Sequence, residues 1–226
     1  MNKDTDKDTG TVKIAIDGPG GAGKSTIAKA VAKKLGVEYV DTGAMYRAVG
    51  YKMNANNVDP KNTEGIKATL ENTEIDFDCG VIYLDGEDVS GKIRTPEMSE
   101  IASIYSALPP VREKLVLIQR NIGRRKSVVM DGRDIGTNVF KDAQFKFFLT
   151  ASAQERAKRR FLELKEKGDD VTLKKVLEDI EKRDYTDTHR KLNPLKKAFD
   201  AIEVDTTDMS IQEVVAFIYG RVTGGE

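Results

Sequence analysis

Short apolar runs ended by glycine alternate along the chain with stretches whose apolar residues recur every three or four positions. Val12-Lys13-Ile14-Ala15-Ile16-Asp17 reads as a buried parallel strand that stops at Gly18. Ile27, Ala28, Val31, Ala32 and Leu35 then mark one face of a helix, which Gly36 terminates. Glu38 to Val40 predicts a second short strand, and a helix follows over about 44–54. Further on, Pro109-Pro110 opens a helix to about 125, and Ser127 to Asp131 is a buried strand ending in a carboxylate. Phe145 to Leu149 is the next strand. A highly charged helical stretch runs over about 153–187 with a bend at Gly168, Ala201 to Val204 is the last short strand, and Ile211, Val214, Val215 and Ile218 mark a closing helix. Strands alternating with helices predict an α/β fold: a central parallel five-stranded sheet flanked by helices.

The pattern changes character between about 61 and 106. A polar helix (about 63–72) precedes Ile75-Asp76-Phe77-Asp78, which alternates with period two. Val81 to Leu84 and the turn dipeptide Asp85-Gly86 follow, with Val89 expected on the returning strand. This is a small antiparallel sheet inserted into the α/β frame or, alternatively, an edge extension of the main sheet. The expected organisation is a disordered leader at 1–11, a core from 12–60, 107–152 and 192–226, an insertion at 61–106, and a pair of lid helices at 153–191.

Composition narrows the classes. Among 226 residues, Lys+Arg and Asp+Glu both number 37, and that balance argues against bulk binding to nucleic acid or an anionic membrane. The single cysteine, Cys79, excludes an intrachain disulfide and fits a reducing cytoplasm. No apolar run approaches membrane-spanning length, and the polar start MNKDTDKDTG has no signal-peptide core. A monomeric cytoplasmic protein is expected.

Gly18-Pro19-Gly20-Gly21-Ala22-Gly23-Lys24-Ser25 fits the phosphate-binding pattern G-x-x-x-x-G-K-[ST], and it lies between a strand and a helix, as that pattern requires. The glycines let several N–H groups converge on an anion, and the helix N-terminus adds positive potential. Lys24 is placed to reach the β/γ phosphates of ATP, and the Ser25 hydroxyl to ligate Mg²⁺. Thr26 either reaches the α-phosphate or is satisfied within the first helical turn. The guanine-reading N-K-x-D is absent, which disfavours a GTPase.

Arginines and carboxylates stand at the C-terminal ends of the predicted strands, where open α/β sheets bind ligands. In Asp41-Thr42-Gly43-Ala44-Met45-Tyr46-Arg47, Arg47 is placed to grip an acceptor phosphate or to make a surface salt bridge. In Asp131-Gly132-Arg133-Asp134-Ile135-Gly136, Asp131 takes the place of a metal-orienting acid, Arg133 of a phosphate clamp and Asp134 of an acceptor for a base amino group; a capped tight turn is the other reading. Arg156, Arg159, Arg160, Arg183 and Arg190 lie in the charged helical stretch. Gln154 to Lys191 holds 12 basic and 10 acidic residues, so this is a mixed helical lid or a solvated face, and no polybasic tail.

The segments IAIDGPGGAGKST, DTGAMYR, LDGEDVSGKIRTPE, VMDGRDIGTNVF and KRDYTDTHR together resemble the bacterial cytidylate kinase family over about residues 12–220. The resemblance implies a core, a lid and an enlarged monophosphate-binding lobe with a small β-sheet. It implies transfer of a phosphoryl group from ATP, with Mg²⁺, to CMP or dCMP. Arg47, Arg133 and Arg190 would hold the acceptor phosphate, and Arg183 and Asp187 the sugar. Ser103, Arg112 and Asp134 would read the cytosine edge, with Arg156, Arg159 and Arg160 near ATP. Thr42 stands where many members carry serine, and keeps the hydroxyl. From the residues alone, a P-loop kinase for UMP, AMP or a non-nucleotide alcohol remains open, as does a non-catalytic nucleotide-binding regulator. Ser103 on its own is most simply a helix hydroxyl bonded to backbone, Arg112 an exposed first-turn residue, Asp187 one charge in a solvated run, and His189 an exposed residue.

Overall fold

The computed structural model of the protein describes residues 10–78, 80–166 and 168–225. Cys79 and most of the expected leader lie outside the described residues. The chain begins with β1 (Lys13–Asp17), α1 (Lys24–Leu35), β2 (Glu38–Asp41) and α2 (Thr42–Ala55). The inserted stretch holds α3 (Thr63–Glu71), β3 (Ile75–Asp78), β4 (Val81–Leu84), β5 (Glu87–Asp88) and α4 (Pro96–Ser106). Then come α5 (Pro109–Arg125), β6 (Val128–Gly132), a π-helical turn (Ile135–Val139) and β7 (Phe145–Thr150). The chain closes with α6 (Ala153–Glu166), α7 (Leu173–His189), β8 (Ile202–Asp205) and α8 (Ile211–Thr223).

The main sheet has the order β2-β6-β1-β7-β8, and every neighbouring pair is parallel. Its strands are buried on both faces, and alternate residues feed separate cores. Ala15, Val128 and Met130 pack with α2 and α5, whereas Ile14, Ile16, Val129, Phe147 and Leu149 pack with α1 and α8. All five strands end on the same edge, so the loops after β1, β2 and β6 converge there.

The inserted stretch forms the expected antiparallel sheet, β3-β4-β5. Asp85 (φ 52°) and Gly86 (φ 83°) both take left-handed backbone, as a tight hairpin turn demands. Val89 sits one residue past β5 yet still donates its N–H to the Ile82 carbonyl at 3.1 Å. Ile66, Leu70, Phe77, Ile82 and Leu84 join the same apolar cluster as Met45, Met53 and Leu115. The insertion therefore shares its core with one face of the main sheet.

Two further elements go beyond the sequence pattern. The helix α4 starts at a Thr95 cap, whose side chain accepts from Met98 N–H, with Pro96 in its first turn. α2 begins two residues before the expected start because the Asp41 carboxylate caps it, accepting from Ala44 N–H. α6 and α7, expected as the lid, form a helical hairpin with its own small core of Ala157, Leu164, Val176 and Ile180, turned at Gly168 (φ 84°).

Candidate active site

The loop after β1 is shaped by contacts that only glycine permits. A Cβ on Gly18 (φ 148°) would lie 2.0 Å from the Leu149 carbonyl oxygen of β7. Gly21 (φ 77°) faces Arg156, and Gly23 (φ 79°) is the left-handed cap of α1. Lys24 is buried, and its ammonium donates to the Pro19 carbonyl at 2.7 Å, folding over the loop. Burial, then the nearby Arg133 guanidinium, pushes its pKa down to about 7 against the pull of Asp131.

Ser25 and Thr26 follow at the helix start and are exposed. The Ser25 hydroxyl donates to Asp131 Oδ2 at 2.8 Å, the Tyr39 hydroxyl donates to Asp131 Oδ1 at 3.0 Å, and the Thr42 hydroxyl donates to the Asp131 backbone carbonyl at 2.7 Å. Burial and the neighbouring Asp41 raise the Asp131 carboxyl to about 6. A hydroxyl and a carboxylate oxygen in contact are hard donors of the kind Mg²⁺ takes alongside phosphate and water. No cluster of three or more acidic, His or Cys side chains suited to a metal exists among the described residues, and Mg²⁺ does not need one.

Opposite this loop runs a chain of alternating charges. Arg112, at the start of α5, donates to Asp134 Oδ2 at 2.5 Å and to the Ser106 carbonyl, and its guanidinium lies 5.5 Å from the Tyr46 ring centre. Arg190, at the end of α7, donates to Asp134 Oδ1 at 3.1 Å and lies 3.7 Å from Asp187. Arg133 Nε donates to Asp187 Oδ2 at 2.8 Å, with Arg183 Nε 3.9 Å from the same oxygen. The chain then reaches the phosphate loop: a Cβ on Gly20 would stand 3.6 Å from Arg133 Nη2 and 3.9 Å from Arg183 Cδ. Arg156, buried above the same loop, donates to the Gly20 carbonyl at 3.0 Å and pairs with Asp184 at 2.7 Å.

The charges bias one another. Arg183 is pushed down to about 10 by burial and by Arg133. Burial and Arg112 also lower Arg190. Burial alone would raise Asp187, but Arg133 and Arg183 outweigh it and hold the carboxyl below its usual range. The Nε donors of Arg47, Arg112 and Arg183 are buried and make no hydrogen bond among the described residues.

Lys24, Ser25, Arg112, Asp131, Arg133, Asp134, Arg156, Arg183, Asp187 and Arg190 therefore form one connected cluster. Arg47 stands at its edge, paired with Asp41 at 3.1 Å. Ser103 is half-buried on α4. The plainest readings of Arg112 and Asp187 give way, because both are buried and paired within the site. His189 is exposed and stacks on Tyr185. Arg159 turns aside: its guanidinium donates to the carbonyls of Thr206 (2.6 Å) and Thr207 (3.2 Å), tying α6 to the loop after β8. Arg160 pairs with Glu163 at 2.8 Å and is a third exposed.

Sequence reasoning missed Asp17, Tyr39, Asp41, Tyr46 and Asn138. Asp17 and Asp41 each end a predicted strand, so their position on the ligand-binding edge was a usable signal. Tyr46 and Asn138 lie within the motifs DTGAMYR and VMDGRDIGTNVF, which was their signal, whereas Tyr39 carried none.

A model of the cytidylate kinase family matches residues 14–223. A cytidylate kinase of Caldanaerobacter subterraneus subsp. tengcongensis is 54% identical over 212 residues, covering 94% of this chain and 95% of its own length. One from Caldicellulosiruptor saccharolyticus is 51% identical over 222 residues, covering 95% and 98%. Among solved structures, an uncharacterized protein from Eubacterium ventriosum superposes with a TM-score of 0.52 at 13% identity, covering 95% of this chain and 99% of its own, a likeness of fold alone.

Proposed function

Because the chain belongs to the cytidylate kinase family, we infer that it is a phosphotransferase that moves the terminal phosphoryl group of ATP to CMP, giving CDP and ADP, and that it takes dCMP in the same site. The observation that carries this reading is the alternating charge chain from Asp134 through Arg190, Asp187 and Arg133 to Gly20 of the phosphate loop. It supports two anionic ligands placed end to end, with guanidinium groups offsetting their repulsion.

On this reading, the loop Gly18 to Thr26 and Arg156 hold ATP, and Lys24 meets the β/γ phosphates. A lysine with a pKa near 7 recovers its full charge when phosphate oxygens arrive beside it. Arg47, Arg133 and Arg190 take the acceptor phosphate, and Arg183 and Asp187 the ribose. Arg112, Asp134 and Ser103 face the base. Cytosine presents an amino donor where uracil presents a carbonyl, so a carboxylate acceptor favours cytosine. The acceptor phosphate oxygen is itself the nucleophile, and catalysis needs no general base from the protein, only alignment and charge neutralisation. Mg²⁺, held through Ser25 and Asp131, would supply further neutralisation of the ATP phosphates. Arg159 and Arg160 are assigned to the lid over ATP, Arg159 by bracing α6 against Thr206 and Thr207 and Arg160 as a cation held by Glu163.

No described helix is long and apolar enough to cross a membrane. We place the enzyme in the cytoplasm as a monomer, where its charged nucleotide substrates are retained. The test is a panel of acceptors (CMP, dCMP, UMP, AMP) assayed by coupled ADP release with ATP and Mg²⁺. CMP is expected to give the highest kcat/KM and dCMP to follow. Equal turnover of UMP, or ATP binding without CMP-dependent ADP release, would overturn the assignment.

A further inference from the structure

Asp17 is the last residue of β1, immediately before Gly18, and its side chain is buried. Its two carboxylate oxygens accept from two consecutive backbone N–H groups, Ile135 and Gly136, each at 2.8 Å. These are the first N–H groups of the π-helical turn, of the kind that a helix start leaves without internal partners. The residue before the turn, Asp134, provides no side-chain cap of its own. Asp17 thus caps the turn from more than a hundred residues away. Gly136 makes room for it: a Cβ there would meet Lys146 Cδ at 3.2 Å and Asp17 Oδ2 at 3.4 Å.

The opposite end of the turn is also held. Arg120 donates to the Asn138 carbonyl at 2.8 Å and to the Val139 carbonyl at 3.3 Å. The Asn138 side chain donates back to Asp134 Oδ2 at 3.1 Å. A π-helical turn is uncommon and concentrates at functional sites, and this one projects Arg133 and Asp134 into the cleft. One residue after Asp17, Gly18 is locked against Leu149 and starts the loop that holds ATP. Adjacent residues of one strand end therefore fix both halves of the cleft, one through packing and one through a carboxylate bridge.

We propose that Asp17 is a positioning residue that sets Arg133 and Asp134 relative to the phosphate loop, and so fixes where the acceptor nucleotide lies against ATP. The proposal rests on the assignment of Arg133 and Asp134 to the acceptor. It differs from a merely structural role because its loss falls on one substrate.

The test is steady-state kinetics of Asp17→Asn with each substrate varied in turn. Asparagine keeps the shape but offers one acceptor and turns an NH₂ toward a backbone N–H. KM for CMP is expected to rise roughly tenfold or more, with KM for ATP within about twofold of the parent and a fallen CMP-to-UMP ratio. Equal changes in both KM values, or no change in either, would overturn the proposal. In an Asp134→Ala background, Asp17→Asn is expected to add less than about twofold to the CMP loss, since the two act through one turn; full multiplication of the effects overturns it. Gly136→Ala, which crowds the bridge without removing a charge, is expected to shift KM for CMP in the same direction, and decides the matter if Asp17→Asn does not fold; unchanged CMP kinetics there refutes the proposal. Should Asp134→Ala itself leave CMP kinetics intact, the acceptor assignment falls and the proposal with it. A loss on Asp134→Ala with none on Asp17→Asn overturns the positioning role alone.

Discussion

Asp134→Asn separates the ion pairing that the structure shows for this carboxylate from the base reading proposed for it. Asp134 lies between Arg112 and Arg190, whose side chains are 3% and 8% exposed. At about 4 Å and an effective dielectric of about 20, each ion pair is worth about 4 kcal/mol before desolvation is subtracted. Removing the charge leaves two buried guanidinium groups facing one another, and breaking one partner of a buried pair costs about 3–5 kcal/mol. For a chain of this size a melting temperature falls by roughly 2–4 °C per kcal/mol, so a loss of roughly 10 °C is expected. An asparagine amide can accept from cytosine through its oxygen or donate to uracil through its nitrogen, so the CMP-to-UMP ratio of kcat/KM is expected to fall by about tenfold or more. The stability loss should be partly recovered by adding Arg112→Met, which removes one of the stranded cations, whereas the selectivity loss should not. Thermal melts and acceptor kinetics on the single and double variants measure both. A single variant that melts within about 2 °C of the parent and keeps its CMP preference would refute the electrostatic account and the base-reading assignment together.

Lys24→Ala is expected to lower kcat by roughly a hundredfold or more with the fold intact by circular dichroism; normal turnover would end its assigned role. Gly18→Ala forces a Cβ to within 2.0 Å of the Leu149 carbonyl, and a loss of ATP affinity of roughly a hundredfold or more is expected by titration calorimetry, so near-normal affinity would contradict the loop geometry. Tyr39→Phe removes one hydrogen bond to Asp131 and should cost about 1 kcal/mol of stability and raise the Mg²⁺ concentration needed for half-maximal rate; an unchanged Mg²⁺ dependence would show that Tyr39 does not orient that carboxylate. Burial, against the two N–H bonds, raises Asp17 from 3.8 to about 6, so the folded state binds its proton more tightly than the unfolded chain. Its contribution to stability is full below about pH 4 and is lost as pH rises through about 6, up to about 3 kcal/mol. Denaturant titrations across that window should show a shallower decline for Asp17→Asn, and an identical slope would contradict the shift.

The frame was open to sequence reading because its signals are local. Buried strands such as Ile14 to Asp17, the αL stop at Gly36 and the Asp85-Gly86 hairpin each lie within a few residues, and each stands as expected. The phosphate loop was equally plain, since its pattern is contiguous. What resisted was pairing over distance. Nothing near Asp134 in the chain announces that Arg112 and Arg190 meet on its two oxygens, or that Asp17 bridges Ile135 and Gly136. Composition likewise gives five arginines between 153 and 191 no individual direction. The structure sends Arg156 onto Gly20 and Arg159 onto Thr206, three residues apart on one helix. The helical period puts them on the same face, one turn apart, and only the positions of the loop after β1 and of β8 decide what each one meets.

The charge chain also explains how so many cations can be stored in one cleft. Arg112, Arg133, Arg183 and Arg190 carry four positive charges against two negative charges on Asp134 and Asp187. The local excess of two matches the roughly −1.5 to −2 charge of a phosphate monoester near neutral pH. Burial, and then the neighbouring guanidinium groups, lowers Arg183 and Arg190, while the nearby anionic groups keep Arg112 and Arg133 raised. A monophosphate dianion balances that excess, while a neutral nucleoside that fits the base pocket leaves it unbalanced. Recognition of the acceptor is then carried as much by the phosphate as by the base. CMP should protect the folded state against heat, and cytidine at equal concentration should leave the melting temperature where it was. Equal protection by cytidine would show that the arginine excess is balanced by groups elsewhere and does not drive binding.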